Sequence, residues 1–129
     1  MTIPDDLRYT REHEWARRKG KNVAVGITEY AQDQLGDVVY LELPDIGDAV
    51  KKGEAFGVVE STKAVSELFA PISGKIVEVN DPLVEAPENI NEDPYEEGWM
   101  VVIEPSDPAE LDVLLDAKAY QSFLEEQEQ

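Results

Sequence analysis

The stretch GVVESTKAVSELFAPISG, Gly57 to Gly74, places one lysine, Lys63, between two short runs of strand-forming residues. Ser61, Thr62 and Ala64 beside it are small, Glu60 and Glu67 stand close by, and the neighbouring lysines, Lys52 and Lys75, fall well outside the turn. An exposed lysine is usually no more than a solvated side chain. Here small neighbours leave the ammonium open from both sides and the flanking strands hold the tip rigid, so an acylating enzyme can modify this amine and pass over the rest. Such a residue presents a covalently attached group on a long side-chain tether.

Other chemistry-bearing residues were weighed against this one. His13-Glu14-Trp15 opens like a zincin helix, but the chain has one histidine and no cysteine, which excludes the second zinc ligand, thiol nucleophiles and disulfides. Ser61 and Lys63 lack the S-x-x-K spacing, and a lysine acting as a base requires burial that a hairpin tip does not give. Asn89, Asn91 and Asp93 have the odd spacing of a calcium loop, yet Pro94 sits where glycine is needed and Met100 where the bidentate glutamate belongs. No phosphate loop and no GxGxxG is present. The residues point to a carrier and not to an enzyme.

The chain of 129 residues is the size of one domain, expected over residues 1–129 with a core from about residue 7 to 124 and a frayed end over 125–129. It is 42% hydrophobic, but no apolar run is long enough to cross a bilayer. The segment MTIPDDLRYTREHEW has no apolar leader and carries acids early, so a cytoplasmic, prokaryotic setting is expected. The net charge of −18 is uneven: residues 1–21 hold six basic and four acidic side chains, leaving −20 on the remainder. Such a surface disfavours nucleic acid and anionic membranes and favours basic partners, an attraction that salt weakens.

Short strands and turns organise the chain. EWARRKGKNVAVGIT reads as a hairpin about Gly20, with Val23, Val25 and Ile27 alternating against small residues. Thr28 is placed to cap a two-turn helix over EYAQDQL, with Glu29 in its first turn and Gly36 just past its end. A strand over DVVYLEL stops at Pro44, DIGDAVKKG supplies turns, Phe56 to Ser61 forms the strand into Lys63, and Ala64 to Phe69 forms the strand out of it. The pattern then repeats. Gly36-Asp37-Val38-Val39 answers Gly74-Lys75-Ile76-Val77 and Pro44 answers Pro82, at an offset of 38, while Val59 answers Ile103 at an offset of 44 across the longer loop APENINEDPYEEG. Lys63 falls between the two strand sets. At the end, Asp107-Pro108-Ala109-Glu110 opens a short helix expected to run through Leu115, and a second helix from Ala117 puts Tyr120, Phe123 and Leu124 on one packing face.

Taken together these segments resemble a known family. VVESTKAVSELFAPISGKIVEVN is similar to the lipoyl attachment segment, whose family form runs close to V-E-S-V-K-A followed by P-x-x-G-x-[IV]; Thr62 stands where valine is common. Thr62 and Ala64 do not match the Met-Lys-Met of biotin-bearing domains, and Thr62 departs from the Asp-Lys-Ala of the 2-oxoacid dehydrogenase acyltransferases. YTREHEW, VGITEYAQDQLGDVVYLELPDIG and NEDPYEEGWM, in that order, extend the resemblance from Leu7 to Leu124 and narrow it to the H protein of the glycine cleavage system.

That resemblance implies a mainly β fold, a barrel-sandwich hybrid of two quasi-repeated strand sets (the lipoyl-domain hammerhead) with short helices. It implies lipoate in amide linkage on Lys63 as N6-lipoyllysine, a swinging arm that carries the aminomethyl group of glycine. The partners it implies are the pyridoxal-phosphate glycine decarboxylase (P protein), the tetrahydrofolate-dependent aminomethyltransferase (T protein), dihydrolipoyl dehydrogenase (L protein), and a lipoate ligase or lipoyl/octanoyl transferase. The chain would catalyse none of their reactions. In the family the loaded arm is thought to fold into a surface cleft, and Glu14 falls where a carboxylate would meet its ammonium; the alternative for Glu14 is a surface acid beside a buried Trp15. A second reading of the whole chain, as a lipoyl or octanoyl relay protein or an H-like carrier for another complex, has the same signature at Lys63.

Overall fold

Strands β2 (Glu14–Lys19) and β3 (Asn22–Ile27) form the hairpin expected about Gly20, in a computed structural model that describes residues 2–127. β3 is buried on both sides. Val23, Val25 and Ile27 face the main core, while Ala24 and Gly26 face a second layer in which the Trp15 ring lies across the strand. A Cβ on Gly26 would sit 2.6 Å from that ring, so the small residues of the alternation are small because tryptophan covers them. The indole N–H donates to the Pro94 carbonyl at 2.9 Å.

Two sheets build the body. The larger contains β1 (Arg8–Tyr9), β2, β3, β9 (Val101–Pro105), β8 (Gly74–Val79) and β5 (Ala49–Val50), in that order, all antiparallel. The smaller contains β4 (Val38–Glu42), β6 (Ala55–Ser61) and β7 (Val65–Phe69). Val25, Ile27, Leu41, Val59, Leu68, Ile76 and Ile103 belong to the core formed where the two sheets contribute their inner faces. The outer face of the large sheet is covered by Leu7, Tyr9 and the helix α5 (Ala117–Gln127), through Tyr120 and Leu124. The packing face predicted for that helix is correct; the helix continues through Gln127, and the rest of the tail expected to fray, residues 128–129, lies outside the described residues.

The repeat is present, one copy in each sheet, since β4 pairs with β6 as β8 pairs with β9. Both ladders shift register at the same place, between Val38 and Tyr40 and between Ile76 and Glu78, which preserves the offset of 38. The second offset is corrected. Leu41 pairs with Val59 and its counterpart Val79 pairs with Val101, so Val59 corresponds to Val101 at an offset of 42, not to Ile103 at 44. Both alignments keep inward residues inward, because a strand repeats every two residues, and sequence pattern alone does not separate them.

Three further expectations need amending. The loop after β8 contains two short helices, α2 (Asp81–Glu85), with Pro82 in its first turn, and α3 (Asn89–Glu92). The segment expected to hold only turns contributes β5. The helix opened by Asp107 spans only Ala109–Asp112 (α4), and Leu115, expected inside it, instead forms an antiparallel bridge with Tyr9. Glu110 does not turn back to the cap; its carboxylate accepts from Ser73 N at 2.8 Å and Ser73 Oγ at 3.1 Å, tying α4 to the turn before β8.

Candidate functional site

Helix α1 (Glu29–Leu35) matches the predicted span, with the Thr28 hydroxyl accepting from Ala31 N at 3.2 Å. Gly36 follows it at φ +78°, a region that side chains avoid. Asn91 then ties helix to strand: its amide donates to the Gly36 carbonyl at 2.8 Å and to Gln32 Oε1 at 3.0 Å, and its Oδ1 accepts from Val38 N at 2.9 Å. Asp37 is thereby held between two fixed neighbours, and its carbonyl accepts from Thr62 N at 3.0 Å. From sequence Asn91 has no structural role beyond a place in a rejected calcium loop and in a family segment; in the structure it anchors the segment that the lysine turn leans on.

The turn itself is closed by Ser61. Its backbone N–H donates to the Ala64 carbonyl at 2.8 Å, and its hydroxyl oxygen accepts from Ala64 N at 3.1 Å and Lys63 N at 3.3 Å. Lys63 is exposed at the tip, as expected, and among the described residues it forms no salt bridge. Its stem passes over Gly36, where a Cβ would lie 3.1 Å from Lys63 Cε, so the glycine leaves the stem its path. The amine is neither sealed in the core nor tied into an ion pair, while the backbone that carries it is fixed on three sides. The outer face of the small sheet beside the tip carries Tyr40, Glu60 and Val65 in one cross-strand row, with Tyr40 and Val65 largely exposed.

Beside Lys63 lies a cleft of about 310 Å³. One wall is the edge strand β7 with Ala64, the opposite wall is α1 through Tyr30, Ala31, Gln34 and Leu35, and Glu12, His13 and Glu14 close one end. Among the described residues, three carboxylates line it, those of Glu12, Glu14 and Glu67, and no lysine or arginine does. Glu14 is not the surface acid of the alternative expectation, being 2% exposed. Its Oε1 accepts from Thr10 Oγ1 at 2.5 Å and its Oε2 from Phe69 N at 3.3 Å, an N–H on the free side of β7. Burial raises its pKa from 4.5 to about 7, against the opposing pull of those two hydrogen bonds. A cleft with this lining accepts a short apolar chain that ends in a cation.

The sign of the Glu14 shift gives a testable pH dependence. Because the folded protein holds this proton up to about pH 7 while the unfolded chain releases it near 4.5, the folded state binds more protons across that window. Stability contributed by protonated Glu14 is therefore present below about 4.5 and lost as pH rises through about 7. In Glu14→Gln the amide can donate to Thr10 and its oxygen can accept from Phe69 N. The variant is expected to melt higher than the parent at pH 8, with a flatter melting profile between pH 4.5 and 7; an unchanged profile would refute the assignment.

The chain is similar to known proteins over nearly its whole length. The family model described as Glycine cleavage H-protein matches residues 7–127. A glycine cleavage system H protein of Anaeromyxobacter sp. (strain K) is 77% identical over 128 residues, covering 99% of this chain and 100% of that one. The H protein of Myxococcus xanthus is 59% identical, covering 95% of each. A crystal structure of a glycine cleavage system H protein from Mycobacterium marinum superposes with a TM-score of 0.86 at 41% identity, over 98% of this chain and 100% of that one. With a family model, closely similar relatives and a solved fold that each match it over nearly its whole length, the chain belongs to the glycine cleavage H-protein family.

Proposed function

We propose that this protein carries lipoate in amide linkage on Lys63 and serves as the non-catalytic shuttle between the enzymes of the glycine cleavage system. The observation that carries the reading is an exposed lysine, without an ion pair among the described residues, on a turn fixed by Ser61 and Asp37 and opening beside a cleft that ends in a buried carboxylate. The attached dithiolane supplies a sulfur that takes up, carries and releases an aminomethyl group, and the enzymes it visits do the bond-making.

The chain's own residues supply position and shelter. Lys63 gives the root, and acylation removes its charge and turns the side chain into a longer neutral tether. The rigid turn presents one amine to a lipoate ligase or lipoyl/octanoyl transferase. Glu14, ionised, pairs with a cationic group at the end of the arm inside a cleft whose apolar lining includes Ile27, Val59 and Leu68, all buried. Tethering raises the local concentration of the carried group at each docked enzyme. The partners are those of the glycine cleavage system, in a cytoplasmic setting.

Peptide mapping of native protein is the test. A lipoyl adduct on the peptide containing Lys63 is expected; an adduct elsewhere, or none in cells that make lipoate, overturns the assignment. The −20 carried by residues 22–129 adds a second expectation. At subsaturating carrier, turnover should fall several-fold as ionic strength rises from about 0.01 to 0.15 M, because docking to basic partner surfaces is screened. Rates independent of salt would remove the electrostatic part of the docking.

A further inference from the structure

We propose that Tyr120, on the C-terminal helix, is a positioning residue for the cleft beside Lys63, holding α1 in place through a one-way chain of hydrogen bonds from Thr28 through Tyr120 to His13. The proposal deepens the carrier reading and rests on it only for the arm's use of the cleft.

Helix α1 has seven residues and no buried side chain, too short to be stable by itself. Yet it forms a whole wall of the cleft, so its position depends on how its ends are fastened. Asn91 fastens the C-terminal end. At the N-terminal end the Thr28 hydroxyl caps the helix, and Glu29 N donates to the Tyr95 hydroxyl at 3.1 Å. Thr28 and Tyr120 are both 0% exposed. The Tyr120 hydroxyl lies 2.8 Å from Thr28 Oγ1 and 2.8 Å from His13 Nδ1.

Counting protons sets the direction. Thr28 Oγ1 already accepts from Ala31 N, so its own proton goes to the Tyr120 oxygen, and the single Tyr120 proton goes to His13 Nδ1. His13 is then neutral, with its proton on Nε2. The reverse order would leave the Thr28 O–H without an acceptor in a site closed to water, which is costly. Burial lowers the His13 pKa from 6.5, in the same direction. The groups facing the imidazole are the Tyr30 ring from α1 and Tyr120 and Phe123 from α5; Arg11 lies beyond Phe123, and Glu12 and Glu14 flank His13 in the chain.

The middle of the chain is rigid. The Tyr120 ring stacks on Tyr9, with centroids 4.5 Å apart and planes 6° from parallel, and Leu124 of the same helix is buried in the outer core. His13 sits at φ +72° and its carbonyl accepts from Thr28 N at 3.0 Å. The outer layer of the fold thus reaches through the large sheet's end to the cleft wall.

Tyr120→Phe in the full chain tests this. Because His13 is the one histidine, its ring nitrogens are read without overlap by NMR. The parent is expected to show the Nε2–H tautomer, and the variant a mixture of tautomers. Amide hydrogens of α1 should exchange roughly two- to tenfold faster in the variant, and a cationic load on the arm should be lost to water faster by a similar factor, while lipoylation of Lys63 is unchanged. Thr28→Ser should behave as the parent, and Thr28→Val, which also deletes the cap of α1, should show the same mixture of His13 tautomers as Tyr120→Phe; that readout keeps the test intact if the tyrosine variant folds poorly. Unchanged His13 tautomer and α1 exchange, or faster exchange confined to α5, overturn the proposal, as does a loosened α1 without faster loss of the load. If instead the parent sheds its load as fast as a lipoylated peptide, the sheltering cleft of the carrier reading fails, while the tautomer and exchange results still decide whether Tyr120 holds α1.

Discussion

Lys63→Arg is expected to remove lipoyl attachment altogether and, with it, all glycine cleavage that depends on this protein. Arginine keeps the charge and nearly the length, but the guanidinium is not an acyl acceptor at neutral pH and its planar fork does not reproduce a primary amine. The side chain is exposed and makes no ion pair among the described residues, so the melting temperature should not move. That separation is what makes the variant informative: intact mass reads the missing adduct, thermal melting reads the intact fold, and reconstituted turnover reads the lost arm. A lipoyl adduct on the arginine variant, or turnover restored by it, would end the case for Lys63.

Gly74→Ala should produce a comparably large effect by an unrelated route. Gly74 pairs with Val50 on one side and Pro105 on the other, and a Cβ there would lie 2.1 Å from the Glu104 carbonyl oxygen and 2.7 Å from a methyl of Ile103. Both obstacles are fixed, one being backbone and the other a fully buried side chain. The strands must part to admit one methyl group, a change expected to cost about 3 kcal/mol or more and to lower the melting temperature by on the order of 10 °C. A variant that melts within a degree or two of the parent would show that the β8–β9 pairing yields more easily than this contact implies.

Much of this was legible in the sequence because its cause is local. The Gly20 hairpin, the Thr28 cap with Gly36 past the helix end, and the strands meeting at Lys63 each follow from residues only a few positions apart. What was not legible depends on partners distant in the chain. Glu14 reads as an ordinary acid until Phe69, 55 residues on, donates to it, and Asn91 reads as a loop residue until Val38, 53 residues back, meets its side chain. The Asp107 helix shows the same limit: its local pattern is sound, but Glu110 is claimed by Ser73 and Leu115 by Tyr9, so the helix stops early. The family resemblance pointed to Glu14 and to a cleft for the arm, whereas the burial of Glu14 and its contact with Phe69 came only from the fold.

The row of Tyr40, Glu60 and Val65 next to the lysine turn has a consequence for traffic. The other broad face of the molecule is taken up by the protein's own C-terminal helix, so the small sheet keeps an open side next to the root of the arm. A stable complex covers about 800 Å² on each partner, and the entire accessible surface here is 6870 Å². One such footprint centred on Lys63 would cover Tyr40 and Val65 together, so two visitors that both need the root of the arm would exclude one another. An excess of any one visiting enzyme is then expected to act as a competitor of the others, which turnover measured against rising amounts of a single enzyme would read.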